Sequence, residues 1–129
     1  MNTQSEHFLN DLISRMKSIA GIDTVYFLDE NKKPLKEFHY NEQENYLTQI
    51  QELFRLQPVS DSISSSLFQS EVHTKYFLNE DGLIIISKLS SNLYMAIVAG
   101  EDQPADLLNL LKICKESRIN YQRYLQQSN

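Results

Sequence analysis

The chain alternates between segments with the apolar spacing of helices and segments with the apolar density of strands. Apolar side chains recur every three or four residues in three places, which predicts three helices. The first should span Ser5–Ile19, the second Glu42–Gln57, and the third should open near Asp102–Pro104. Gly21 can adopt the left-handed backbone that ends the first helix, and Pro58 stops the second.

Five further segments are rich in strand-forming residues. Thr24–Leu28 and Leu35–Tyr40 predict a hairpin, joined by a polar turn in which Asn31 is expected to take a positive φ. A three-stranded meander is predicted farther along the chain, with strands at Leu67–Asn79, Leu83–Leu89 and Leu93–Ala99.

The predicted strands show two kinds of apolar pattern. Thr24–Leu28, Leu83–Leu89 and Leu93–Ala99 carry nearly continuous apolar runs, which are typical of strands covered on both faces. Leu67–Asn79 instead alternates, and its apolar face is formed by Phe68, Val72, Tyr76 and Leu78. A long, half-polar strand of this kind should lie at a sheet edge, where it is a natural surface for pairing with another chain.

These constraints select one topology. With the three apolar strands central and hairpins joining neighbours, the only consistent strand order is 2-1-5-4-3. Covering both faces requires helices on each side. We therefore predict an α/β (α+β) fold with a five-stranded antiparallel sheet. Two terminal helices should lie on one face and the middle helix on the other.

Size and charge narrow the class of protein. A chain of 129 residues is most simply a single domain, spanning residues 1–129. Seventeen acidic and twelve basic residues give a net charge of −5 with no dense basic stripe, which argues against general nucleic-acid binding. No apolar run reaches the ~20 residues of a membrane span, and the N-terminus does not read as a secretory signal. With Cys114 as the single cysteine, we expect a cytoplasmic protein without membrane insertion.

Residues that could carry chemistry are scattered. His7, His39 and His73 lack metal-ligand spacing, and Cys114 lies in an apolar helical stripe, where a buried thiol is expected. None of the three glycines belongs to a phosphate-binding loop. Ser64–Ser66 could be phosphorylated or simply form a solvated loop. We therefore predict no catalytic, cofactor-binding or metal-binding residues, and no enzyme.

Two segments resemble the Roadblock/LC7 domain family. Ala20-Gly21-Ile22-Asp23-Thr24-Val25-Tyr26-Phe27-Leu28-Asp29 is similar to the family's helix-end glycine, apolar strand and closing aspartate. Asn79–Gly100 resembles the family's final hairpin, and the order of elements agrees as well. The chain departs from the family in having Asn31-Lys32-Lys33 where a turn glycine is common, and in its longer third helix.

The resemblance implies a binding role. Family members are non-catalytic, pair their third strands into one continuous sheet, and pack their two middle helices together. Many are platforms for small Ras-like GTPases, and the bacterial gliding-motility member accelerates its partner's GTP hydrolysis without inserting an arginine. We therefore expect a regulatory adaptor that dimerises through strand 67–79 and helix 42–57 and binds such a GTPase or a larger complex.

The expected dimer-interface residues lie on these two elements. They are Leu47, Ile50 and Phe54 on the helix, and Phe68, Ser70 and Val72 on the strand. Packing on the chain's own sheet could also account for the helix residues. Arg55 is a candidate for facing the partner.

Other interpretations stay open at this stage. A ligand-sensing domain of the PAS or profilin-like type would share a small antiparallel sheet with flanking helices, and it predicts an internal pocket between helix and sheet. The sequence does not distinguish a homodimer from a heterodimer.

Overall fold

The computed structural model describes residues 3–19, 21–40, 45–56, 73–79, 82–100 and 106–127. Within these ranges three helices and five strands follow one another in the predicted order. They are α1 (Thr3–Met16), β1 (Ile22–Leu28), β2 (Pro34–His39), α2 (Leu47–Leu56), β3 (Thr74–Asn79), β4 (Gly82–Ser90), β5 (Leu93–Gly100) and α3 (Leu107–Gln127). No helix in these ranges combines the length and apolar character needed to cross a bilayer.

The strands form one antiparallel sheet in the order β2-β1-β5-β4-β3, which confirms the predicted topology. The pairing of β1 with β5 joins the N-terminal hairpin to the meander, with Tyr26 opposite Ala96 and Phe27 opposite Met95. Each of these strands also has a second neighbour, so their backbone groups are paired on both sides.

Two apolar clusters lie on opposite faces of the sheet. Alternate side chains of β1 supply both: Val25 and Phe27 point towards α1 and α3, whereas Tyr26 and Leu28 point towards α2. All four side chains are completely buried. The two terminal helices therefore share one face and the middle helix covers the other, as predicted.

The first helix is held on its face by apolar and polar contacts. Leu9, Leu12 and Met16 are buried against the sheet, and the Tyr40 hydroxyl donates a 2.6 Å hydrogen bond to the carbonyl of Ile13. Gly21 takes a φ of 93°, which confirms its predicted left-handed conformation. The helix ends at Met16 rather than at the predicted Ile19.

The other two helices begin later than predicted. Asn45 and Tyr46 are not helical, and the Asn45 side chain accepts a 2.9 Å hydrogen bond from the Leu47 amide at the start of α2. In α3, the Asp106 carboxylate accepts a 3.1 Å bond from the Asn109 amide. Each helix thus starts at the side chain that satisfies its free amides. The predicted starts near Glu42 and Asp102 lie outside the described residues.

The turn between β1 and β2 also differs from the prediction. The positive φ of 63° belongs to Lys32, not to Asn31. The Asp29 carboxylate accepts hydrogen bonds from the Asn31 and Lys33 amides, at 2.8 and 3.0 Å. These two bonds place the left-handed residue between them, on Lys32.

The structure describes only the second half of the predicted edge strand. β3 spans Thr74–Asn79, whereas the prediction started the strand at Leu67. Residues 67–72 lie outside the described ranges, together with Ser64–Ser66.

The glycine that opens β4 gives a first test of the fold. Gly82 has a φ of 140°, and a Cβ on it would press against the carbonyl oxygen of Ala99. We expect Gly82→Ala to lower the free energy of unfolding by about 2–4 kcal/mol, because both the strain and the backbone clash must be relieved. Urea denaturation measures the change.

Gly100→Ala is the matched control for this substitution. A Cβ on Gly100 would meet the carboxylate of Asp23, which is a side chain and can rotate away. Its effect should stay below about 1 kcal/mol. Equal effects of the two substitutions would contradict the backbone geometry described for Gly82.

The single cysteine gives a second test, because it reports on burial. Cys114 is buried between α3 and the sheet, and burial raises the pKa of its thiol from 9.0 to about 12. Only the thiolate reacts with disulfide reagents, so labelling of the folded protein at pH 8 should be more than about 100-fold slower than labelling in urea. The buried neutral thiol of Cys114 also affects the free energy of unfolding. Its contribution is fully present below pH 9 and is lost as the pH rises towards 12, because the thiol then ionises more readily in the unfolded chain. Rapid labelling of the folded protein would contradict the packing of α3.

Candidate interaction surface

The outer edge of β3 is the first component of the candidate surface. β3 is the last strand in the sheet and pairs only with β4 among the described residues, from Thr74 opposite Ser87 to Asn79 opposite Gly82. In an antiparallel strand, alternate residues direct their N–H and C=O groups away from the paired neighbour. These groups offer a template for a further strand.

The opposite edge of the sheet is protected differently. β2 begins with Pro34, which has no N–H to donate, and then carries Lys36 and Glu37 in its middle. Proline and charged side chains are common devices against edge-to-edge pairing. β3 has the charged side chain Lys75 and no proline. Of the two edges, β3 is therefore the better suited to pair with another strand.

The faces of β3 are covered unequally. Phe77 packs against the cluster under α2, whereas Tyr76 and Leu78 lie on the side of α1 and α3 and are 51% and 67% exposed. The sequence pattern had placed Tyr76 and Leu78 on the apolar face. The structure leaves them uncovered because the sheet contacts of α3 centre on β4, the neighbouring strand.

The second component is α2. Ile50 and Phe54 are 0% and 5% exposed and pack against Tyr26, Ala96 and Val98 of their own sheet. The Tyr26 hydroxyl accepts a 3.0 Å hydrogen bond from the Tyr46 amide and so anchors the start of the helix. Ile50 and Phe54 consequently keep little surface that a second subunit could contact.

The outer side of α2 carries the surface that remains available. Leu47 and Leu53 are only partly buried at the margin of the cluster. Arg55 is exposed and forms a bidentate hydrogen-bonded pair with Glu52, in which its Nε lies 3.2 Å from the Glu52 Oε2 atom. This pairing lowers the pKa of the Glu52 carboxyl and raises that of the Arg55 guanidinium.

A cleft of about 320 Å³ opens to solvent between the end of α2 and the β1–β2 turn, lined by Lys32, Gln51, Phe54 and Arg55 among others. The Lys32 ammonium lies 4.7 Å from the ring centroid of Tyr94 and 5.4 Å from that of Phe54. The Gln51 side chain donates a 2.9 Å bond to the Lys32 carbonyl. The cleft lies at the margin of the sheet, not in the interior between helix and sheet that a PAS-like ligand sensor would use.

The histidines and the other residues named in the sequence analysis do not form a common site in the described part of the chain. His7 is exposed, and His39 lies on β2 with its imidazole 3.2 Å from the Glu37 carboxylate and 3.3 Å from the Thr24 hydroxyl. In the part of the chain that the structure describes, no three His, Cys, Asp or Glu side chains cluster as metal ligands would. Phe68, Ser70 and Val72 lie outside that part.

The chain is similar to known proteins in its fold but matches none of the compared families or curated proteins in its sequence. No protein-family model and no curated protein sequence matches the chain. Solved structures do match over nearly its whole length. The gliding protein MglB from Thermus thermophilus superposes with a TM-score of 0.73 at 12% identity, covering 98% of this chain and 94% of that one.

Two further structures extend the comparison. Myxococcus xanthus MglB gives a TM-score of 0.67 at 9% identity and covers 99% of this chain and 94% of its own. A Roadblock/LC7 domain from Streptomyces avermitilis gives 0.64 at 14% identity, covering 93% and 96%. At these identities the similarity is one of fold. The sheet order, the placement of the helices and these superpositions together show that the chain adopts the Roadblock/LC7 fold.

Proposed function

We propose that this protein is a non-catalytic cytoplasmic adaptor, a single domain that forms dimers and regulates a small Ras-like GTPase or a larger complex. The observation that carries the proposal is the outer edge of β3, which has no strand partner among the described residues and has two large apolar side chains exposed beside it. The shared fold with MglB and Roadblock/LC7 structures supports the same role.

In the proposed dimer, the β3 strands of two protomers pair antiparallel about a twofold axis. Their outward N–H and C=O groups form the hydrogen bonds, and the two sheets become one continuous sheet. Tyr76 and Leu78 then lie against the edge strand of the partner. The interface includes Phe68, Ser70 and Val72, which the sequence pattern places on the preceding part of the strand. One strand and one helix from each protomer suffice for an interface of standard size, ~1,600 Å² in total.

In the same dimer, α2 packs against α2 of the partner. Leu47 and Leu53 supply the apolar contact because both are only partly buried at the margin of the cluster under α2. Ile50 and Phe54 contribute to the dimer indirectly. They are almost completely buried against their own sheet and so hold α2 in position on it. The proposed dimer thus combines hydrogen bonds along the edge with apolar burial on both faces of the sheet.

The proposed effect on a GTPase is to order the GTPase's own catalytic loops. Arg55 faces the partner in this proposal but does not act as an inserted catalytic arginine. Its guanidinium is already paired with Glu52. Breaking this pair to insert the arginine into a GTPase would offset part of the binding free energy of the complex.

The edge-pairing proposal predicts the effect of charge on β3. Leu78→Lys should weaken the dimer at least about tenfold, and Tyr76→Lys/Leu78→Lys should weaken it further, because the new ammonium groups would lose hydration among the side chains at the paired edges. The folded protomer should persist because both side chains are largely exposed. Light scattering after size-exclusion chromatography distinguishes the 15.1 kDa protomer from a species of twice that mass.

Leu35→Lys on the opposite edge is the matched control, since Leu35 is 43% exposed on β2. It should leave the dimer affinity unchanged within about twofold. A wild-type protein that stays monomeric at high micromolar concentration would contradict the proposal. So would equal effects of the substitutions on the two edges.

The proposed role of Arg55 predicts a small catalytic effect. With a purified Ras-like GTPase from the same genome, Arg55→Ala should lower the stimulated rate of GTP hydrolysis by less than about tenfold. Loss of an inserted arginine would lower that rate about 10³- to 10⁵-fold. Single-turnover GTP hydrolysis measures the rate. Glu52→Ala, which frees the guanidinium, serves as the comparison variant.

A further inference from the structure

A second cleft, of about 190 Å³, lies at the end of the sheet where β4 turns into β5. It is bounded by the start of β3, the β4–β5 turn and the C-terminal half of α3. Its polar lining comes from His73, Lys88, Ser90, Ser91, Arg118 and Gln122. The sequence analysis assigned no role to this group of residues.

Packing of α3 positions the arginine in this cleft. Gln122, one helical turn after Arg118, donates a 2.6 Å hydrogen bond from its side chain to the carbonyl of Leu89. The neighbouring Ser117 and Tyr121 are buried against the sheet. Because residues four apart share a helix face, Arg118 is held beside the end of β4, where it is only partly exposed.

The described lining of the cleft is basic, with neither Asp nor Glu among its described residues. Arg118 makes no ion pair or hydrogen bond with any residue that the structure describes. Lys88 adds positive charge nearby, although its ammonium lies over the Tyr94 ring, 5.8 Å from the centroid, on the α2 side of the sheet. His73 and Ser91 complete the rim with groups that can donate hydrogen bonds.

A partly buried guanidinium with no ion-pair partner among the described residues has lost part of its hydration. An oxyanion would replace the lost hydrogen bonds to water, because the planar guanidinium matches two oxygens of one phosphate or carboxylate. The additional hydroxyl and imidazole donors at the rim favour a tetrahedral group with three free oxygens over a carboxylate.

We propose that this cleft binds a phosphate group, with Arg118 as the principal ligand and with His73 and Ser91 as secondary donors. A volume of about 190 Å³ has room for a phosphate and for the group that carries it. The site goes beyond the proposed adaptor function and does not depend on dimerisation. The phosphate could be free or carried on a side chain, and both sources present the same oxygens.

The experiment is a titration of the ¹⁵N-labelled protein at constant ionic strength, with inorganic phosphate in one arm and O-phosphoserine in the other. Saturable shifts at the amides of residues 73, 90–92 and 118–122, with a Kd of about 1 mM or tighter, are expected in at least one arm. Saturation by inorganic phosphate assigns a free phosphate, whereas saturation by O-phosphoserine alone assigns an esterified one. Acetate at equal ionic strength should produce no saturable shift at these amides.

Arg118→Gln should weaken phosphate binding at least about tenfold, because the bidentate ligand is lost. Arg123→Gln is the matched control on the same helix, since Arg123 is exposed, and its Kd should stay within about twofold. Arg118→Lys keeps the charge and the stem and should bind with intermediate affinity. This variant tests the site if the glutamine variant does not fold.

Several results would overturn the proposal. They are the absence of saturable shifts in both arms, equal shifts with acetate, or unchanged binding by Arg118→Gln. Glu71 is the carboxylate nearest to His73 in the sequence. If phosphate binds only to a Glu71→Gln variant, the chain's own carboxylate occupies the cleft and the proposal is wrong. The Tyr76→Lys/Leu78→Lys variant should bind phosphate like the wild type, which separates this site from the dimer.

Discussion

The pairing of β1 with β5 is the constraint on which the rest of this structure depends. These strands are far apart in the sequence, and their contact joins the N-terminal hairpin to the meander. It also creates a sheet whose centre is buried on both faces, with Tyr26 and Phe27 of β1 completely enclosed on opposite sides. Helices must then cover both faces. Because α2 leads from β2 towards β3, at opposite ends of the strand order, it is the helix that lies alone.

The sheet has two edge strands, β2 and β3, and their side chains differ. β2 carries a proline and charged side chains, whereas β3 presents Tyr76 and Leu78 beside its outer edge. The same element order places α3 over β4, so this side of β3 stays uncovered. The uncovered side of β3, on which the proposed dimer depends, therefore follows from the topology.

The topology could be predicted from the sequence because continuous apolar runs distinguish strands with two buried faces from strands with one. Local boundaries were less predictable. The starts of α2 and α3 depend on which side chain reaches a free amide, and Asn45 and Asp106 take that role. The exposure of Leu78 was not predictable from alternation, because alternation separates two faces without showing which of them a helix covers. The cleft that contains Arg118 was also not predictable, because its lining residues come from three separate segments of the chain.

One local arrangement limits how the chain can vary. Lys32, in its left-handed conformation, holds an ammonium over the rings of Tyr94 and Phe54 while its carbonyl accepts a bond from Gln51. A surface hairpin loop normally tolerates insertions and deletions with little effect on the domain. Here a change of even one residue in loop length would remove the lysine from both rings and from the helix. The permitted length of this loop is consequently set by its contacts with α2, a helix that begins more than ten residues later in the sequence.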